Sequence, residues 1–152
     1  NTVLAAMAGT LGGMFMSWWR WRLVDPVYPL NGMIAGMVAI TAGAHVMDAP
    51  AAFFVGLVGA VVMYLADRLL NHLRIDDAVG AVPVHLASGI WGTLAVALFA
   101  NLETLGTGLS RTQQFVAQLE GVVVAGLWAF GVTWLLLRLI NRFWPMRVTP
   151  EM

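Results

Sequence analysis

Five stretches of this sequence are long and apolar enough to be membrane-spanning helices, and nothing else constrains the fold as tightly. A spanning helix needs roughly 20 predominantly apolar residues. The stretches run from Thr2 to about Trp18, Asn31 to Met47, Ala51 to about Leu70, Val79 to Ala100 and Gln113 to Ile140. Charge or turn chemistry bounds each one. Arg20, Arg22, Asp25 and Pro26 follow the first, and Asp48 and Pro50 divide the second from the third. Arg68 through Asp77 closes the third, and a Gly-, Thr- and Ser-containing loop from Asn101 to Arg111 precedes the fifth.

Composition excludes the main alternatives. Hydrophobic residues make up 60% of the 152 residues and charged ones 11%, with a mean hydropathy of +0.80. A soluble domain carries about a quarter charged residues, so a water-facing surface of ordinary composition cannot be built. The sequence therefore predicts an all-α, polytopic membrane helix bundle with five transmembrane helices and the lipid bilayer as its partner. Positive and negative side chains cancel, every cation other than the histidines is an arginine, and there is no basic patch to engage nucleic acid. The absence of cysteine removes thiol chemistry and disulfides. The three histidines do not form a metal-ligand spacing, and no nucleophile or second acidic pair accompanies Asp76 and Asp77. Neither an enzyme, nor a cofactor, nor a metal is expected. No basic segment or initiating Met precedes the first run, so it does not read as a signal peptide. An odd number of crossings between abrupt ends leads to the expectation of a longer protein.

Arginine sets the predicted orientation. Arg20, Arg22, Arg68, Arg74, Arg138, Arg142 and Arg147 fall on one side of the five crossings, and Arg111 alone on the other. By the positive-inside rule this places Asn1 outside and Met152 in the cytoplasm of a cell-membrane protein. Trp18, Trp19, Trp21, Phe143 and Trp144 sit where an inner aromatic belt would lie. Gly9 and Gly13, Gly32 and Gly36, Ala35 and Ala39, and Gly56 and Gly59 have the small-residue spacing that lets helix backbones approach in lipid. The fifth run, about 42 Å as a helix, exceeds the hydrocarbon thickness and must tilt or protrude. Its Gly121, Gly126 and Gly131 suit a close contact or a bend.

The polar residues inside these runs carry the functional signal. His85, in Val79-Gly80-Ala81-Val82-Pro83-Val84-His85-Leu86, has no ionisable neighbour within its run. Two readings are open: an imidazole lining a pore or handling protons, or one bonded to a carbonyl of a neighbouring helix. Pro83 removes a backbone donor near the start of the run, and non-helical backbone near Gly80 is tolerated only against protein or water. Asp76 and Asp77 precede this helix and read either as caps of its N-terminus or as an inner vestibule that attracts cations. Glu120, His45 and His72 read as interfacial, and Gln113, Gln114 and Gln118 as the outer mouth of the last helix.

The string Arg74-Ile75-Asp76-Asp77-Ala78-Val79-Gly80-Ala81-Val82-Pro83-Val84-His85, continuing to Gly89-Ile90-Trp91-Gly92-Thr93-Leu94, resembles the tenth membrane helix of the ammonium transporter (Amt/Rh) family. Asn1-Thr2 with the Ala-rich sequence after it is similar to the start of the family's seventh helix. Asn31-Gly32, Ala35-Gly36 and Ala39-Ile40-Thr41 resemble its eighth, and Arg147-Val148 with Glu151 the start of its cytoplasmic tail. The resemblance implies the last five of eleven crossings, homotrimers, ammonium or ammonia as substrate, and a narrow pore through each subunit lined by two histidines. His85 matches the one on the tenth helix. The other, with the Phe gate and the outer recruitment site, belongs to upstream helices that this chain does not contain. Asp76 and Asp77 match the family's acidic pair at the inner mouth, whereas Gly80 stands where the family often has a further carboxylate. The resemblance also implies that His85 binds ammonia or relays its proton beside an apolar wall of Val82, Val84, Leu86 and Ile90. A second reading stays open. Val82-Pro83-Val84-His85 with Gly89-Ile90-Trp91-Gly92-Thr93, and Pro145-Met146-Arg147-Val148, are similar to ammonium-sensing domains fused to signalling modules such as histidine kinases or diguanylate cyclases.

Overall fold

The structure, a computed structural model, describes residues Asn1–Met146. Arg147, Val148, Glu151 and Met152, invoked above for the tail and the inner terminus, lie outside the described residues. The chain divides into two units, Asn1–Gln118 and Leu119–Met152. All regular structure among the described residues is helical.

In the first unit, α1 (Thr2–Trp21) ends at Arg22, whose left-handed backbone (φ 58°) lets its N–H reach the Trp18 carbonyl. Helix α2 (Val27–Thr41) begins four residues earlier than its apolar run suggested and stops six residues sooner. Its start follows from Asp25, which accepts the Val27 N–H at 3.0 Å, and from Pro29, tolerated in a first turn because the missing N–H has no helical partner there. Its end escapes hydropathy because the turns that follow are themselves apolar: Val46 and Met47 are buried in the core. Helix α3 (Ala49–His72) is capped by Asp48, which accepts the Ala51 N–H at 2.8 Å, with Pro50 in its first turn. A six-residue π-helical segment, Val82–Ala87, runs directly into α4 (Ser88–Phe99). A short α5 (Leu102–Leu105) is capped by the Asn101 side chain, which accepts from Glu103 and Thr104. Helix α6 (Arg111–Phe143) starts in the first unit and makes up most of the second.

Among the described residues, three helices are both long and apolar enough to cross a membrane: α3, the continuous Val82–Phe99 helix and α6. The 15-residue α2 is a shorter apolar helix. Helix α1, with 20 residues, has the length to span about 30 Å, and its glycines and tryptophans lower its hydropathy. Helix α6 is 33 residues, about 50 Å. Steps of five residues turn about 140° around a helix, so Gly121, Gly126 and Gly131 do not share one face.

The core of the first unit is built from backbones in near contact. A Cβ at Gly9 would collide with the Gly32 carbonyl oxygen across the α1–α2 interface, and one at Gly92 with the Ala39 carbonyl across α4–α2. The pairs Gly32 and Gly36, Ala35 and Ala39, and Gly56 and Gly59 fall at such contacts. Without a hydrophobic drive between helices in lipid, close van der Waals packing of this kind is what holds them.

The charges of this unit sort to its two ends. Tyr28 donates to Asp67 at 3.0 Å, and its ring lies 5.1 Å from Trp21 and 5.8 Å from Tyr64, tying the end of α1, the start of α2 and the end of α3 together. Arg20, Arg22, Arg68 and Arg74 belong to that end. Arg22 lies over Trp18 at 5.2 Å and Arg20 over Trp21 at 5.9 Å. At the other end, Asn1 donates to the carbonyls of Ala44 and Met47, and the Asn101 N–H donates to Val46. There Arg111 donates to the Ala97 and Leu98 carbonyls at 3.1 and 3.0 Å, capping the C-terminus of α4.

Candidate functional site

The site begins where α3 has ended and the chain turns back. Gly80 takes a left-handed conformation (φ 69°), and the Asp77 carboxylate reaches over it to accept the N–H groups of Ala81 at 2.9 Å and Val82 at 2.8 Å. Asp77 thus satisfies donors that every helix start leaves free. The Val82 bond, chiefly, and the Ala81 bond hold its carboxyl below the usual aspartate range, against a smaller opposing effect of desolvation. Of the two readings of the acidic pair, the geometry realises capping at Asp77, while Asp76 is an exposed carboxylate.

One prediction follows from that cap. The ionised form of Asp77 is favoured by folding, so its contribution is complete above the ordinary aspartate titration near 3.9 and is lost as pH falls through the lowered value. Thermal unfolding of Asp77→Ala is expected below that of the parent at neutral pH, with the gap closing in acid. Equal unfolding temperatures at neutral pH would show the cap to be idle.

Beyond the cap the helix is underwound into the wider π segment. Pro83, at its start, has no N–H to give, while Val84 donates to Gly80 at 3.0 Å. Such one-turn π segments are rare and often mark functional sites. His85 lies in it with an exposed side chain. Val82, Leu86 and Ile90, exposed by 39%, 54% and 37%, continue its face at three- and four-residue steps. Val84 departs from expectation. It is 3% exposed and packs with Ala35, Met63 and Ile34, so it faces the core and not the surface that carries His85. Val84 and Leu86 flank His85 on opposite sides, and the Val84 side is the one that α2 and α3 cover.

Farther along the same helix, Gly89 and Thr93 line a groove of about 380 Å³ with Val38, Thr41 and Ala42 of the α2 end. The Thr41 and Thr93 hydroxyls donate to the Met37 and Gly89 carbonyls at 2.7 and 2.9 Å, leaving their oxygens as acceptors. The buried side of the helix is pinned to α3. Trp91 Nε1 donates to the Val55 carbonyl at 3.0 Å, and the Ser88 hydroxyl lies 3.1 Å from the Gly59 carbonyl. Sequence reading passed over Ser88 and gave Trp91 and Thr93 no role beyond the motif. A lone hydroxyl in an apolar run was the available signal, since polar groups at that depth need partners.

His45, exposed in the turns after α2, and His72, exposed at the end of α3, do not join this site; Glu120 is exposed along α6. Gln113 and Gln114 were expected at an outer mouth. They hold the loop before α6: Gln113 Oε1 accepts the Ser110 N–H, and the buried Gln114 accepts from Thr107, both at 3.0 Å. No cluster of three metal-ligating side chains occurs among the described residues.

A strandless bundle of apolar helices, stitched by small residues and carrying one imidazole on an apolar face, defines a multi-pass membrane protein. The sequence profile of the Ammonium Transporter Family matches residues 1–152, and the chain belongs to that family. A putative ammonium transporter of Synechocystis sp. is 44% identical over 151 residues, which cover 99% of this chain and 28% of that protein. The ammonium transporter Amt2 of Archaeoglobus fulgidus is 34% identical over 161 residues, covering 99% of this chain and 34% of its own length. Among solved structures, a sensor Amt protein superposes with a TM-score of 0.92 at 32% identity, covering 99% of this chain and 38% of that one. Mep2 of Candida albicans gives 0.89 at 28% identity, with 99% and 36% covered. The chain therefore spans about a third of the length of the relatives it matches.

Proposed function

We propose that this chain supplies the last five of eleven crossings of an ammonium transporter, and that the His85 face is one wall of its pore. The observation that carries this reading is an exposed imidazole in a π turn, flanked on its own face by Val82, Leu86 and Ile90. An exposed apolar face with one ionisable group is costly in isolation. Covered by upstream helices it becomes a narrow, dry passage. Ammonium at the bilayer centre bears a large desolvation cost and neutral ammonia little, so such a passage favours deprotonation before transit. A histidine ring both donates and accepts hydrogen bonds and carries a proton at modest cost. Potassium has no proton to give up, so exclusion follows from chemistry and not from width. Asp76, the free carboxylate of the acidic pair, serves as an inner attractor for cations. The arginine-rich end of the first unit faces the cytoplasm, Asn1 lies outside, and three copies assemble in the cell membrane.

The full-length protein in liposomes tests this directly. Ammonium should enter down its gradient while potassium does not. A second reading, an ammonium-sensing domain feeding a signalling module, draws on the superposition with a sensor Amt protein. In that reading the same face binds ammonium, and occupancy biases two states of the bundle. Saturable binding without flux would favour sensing and overturn transport.

A further inference from the structure

We propose that Ser88 is a positioning residue for His85: its buried hydroxyl holds the helix in the π register that presents the imidazole on the apolar face. The proposal rests on the pore reading for its functional consequence, though not for its geometry. A serine hydroxyl within an α-helix bonds the carbonyl three or four residues back. Ser88 reaches five back, to Pro83 at 3.3 Å, the spacing of the π turn itself. Its single proton is shared with the nearer Gly59 carbonyl of α3, at 3.1 Å, so the hydroxyl ties the turn to that helix. It is fully buried, close to where α3 meets α2: a Cβ at Gly59 would meet Ala39 at 2.9 Å.

A π turn holds one more residue than the α turn it replaces. Resolving it would rotate everything before it by about one residue's worth of helix, roughly 100°. That rotation would carry His85 off the face it shares with Leu86 and Ile90 and swing Val84 out of the core. Pro83 weakens the α alternative by lacking an N–H, and the Trp91 and Val84 contacts fix the helix against α3. Neither of these chooses the register. The Ser88 hydroxyl does so from inside the turn, by serving a carbonyl that only the wider register brings within reach. It touches neither the apolar face nor anything in the passage.

The test is a double-mutant cycle in the full-length protein, read by flux and by the ¹⁵N resonance of the His85 imidazole. Ser88→Ala should lower ammonium flux about tenfold, and Ser88→Cys, of similar volume but a weak donor, should fall between it and the parent. In a His85→Ala background Ser88→Ala should cost nothing further, because it acts through a group no longer present. The His85 resonance, identified by its loss in His85→Gln, should shift in Ser88→Ala and return part-way in Ser88→Cys. An additive loss in the double mutant, or an unmoved resonance, overturns the proposal. If His85→Ala alone leaves flux intact the pore reading fails, and the resonance still decides the positioning role.

Discussion

His85→Ala in the full-length protein is expected to reduce ammonium flux by about two orders of magnitude, the low end of what one positioned proton-handling group contributes, or to admit potassium where the parent excludes it. Both outcomes come from the same physics. The imidazole offers the only ionisable side chain on the face formed with Val82, Leu86 and Ile90. Removing it leaves a dry wall with no acceptor for the proton that ammonium must shed, or leaves room for water to follow a hydrated cation. His85→Gln separates the two: an amide donates and accepts hydrogen bonds but carries no proton at neutral pH. If proton relay is what matters, Gln fails like Ala. If hydrogen bonding to ammonia is what matters, Gln retains much of the flux. Flux and potassium exclusion unchanged in both variants would remove His85 from the mechanism.

How much of this was legible before the structure depends on which physical signal carried it. Apolar length located the helices, because lipid forbids any other spanning element for a chain of this kind. It misplaced the end of α2 because Val46 and Met47 are apolar residues of a buried turn, and hydropathy cannot tell such a turn from helix. Small-residue spacing located the contacts of Gly9, Gly32, Gly36 and Gly59, since backbone approach has a period that survives in sequence. The orientation of side chains within Val82–Ala87 was not legible. The apolar wall drawn from the resemblance did not separate Val84, which faces Met63, from Val82 and Leu86, which do not. Asp77 was legible as a cap by type and position, but its choice over Asp76 needed the Gly80 turn.

Gly9→Val is expected to be the most destructive substitution in the first unit, costing about 3 kcal/mol or more of helix association, the upper range for overpacking. Overpacking is ordinarily relieved when a neighbouring side chain changes rotamer. Here the atom in the way is the Gly32 carbonyl oxygen, with the Gly36 Cα at 3.1 Å beside it, and backbone cannot rotate aside. The α1–α2 pair can accept a methyl group only by moving the axes apart, which also withdraws the Ala5 carbonyl from its fit against Gly36 and Gly56. Lipid gives no compensating hydrophobic gain, because acyl chains solvate the separated faces as well as the helices solvated each other. Leu11→Val, on the exposed side of the same helix (55% exposed), isolates the cost of β-branching from that of contact. The readout is the fraction of the full-length protein recovered as a single folded species from detergent, with its thermal midpoint. Gly9→Ala should already lower both, since the collision begins at Cβ. Recovery of Gly9→Val equal to that of Leu11→Val would mean that α1 and α2 do not meet through their backbones at Gly9.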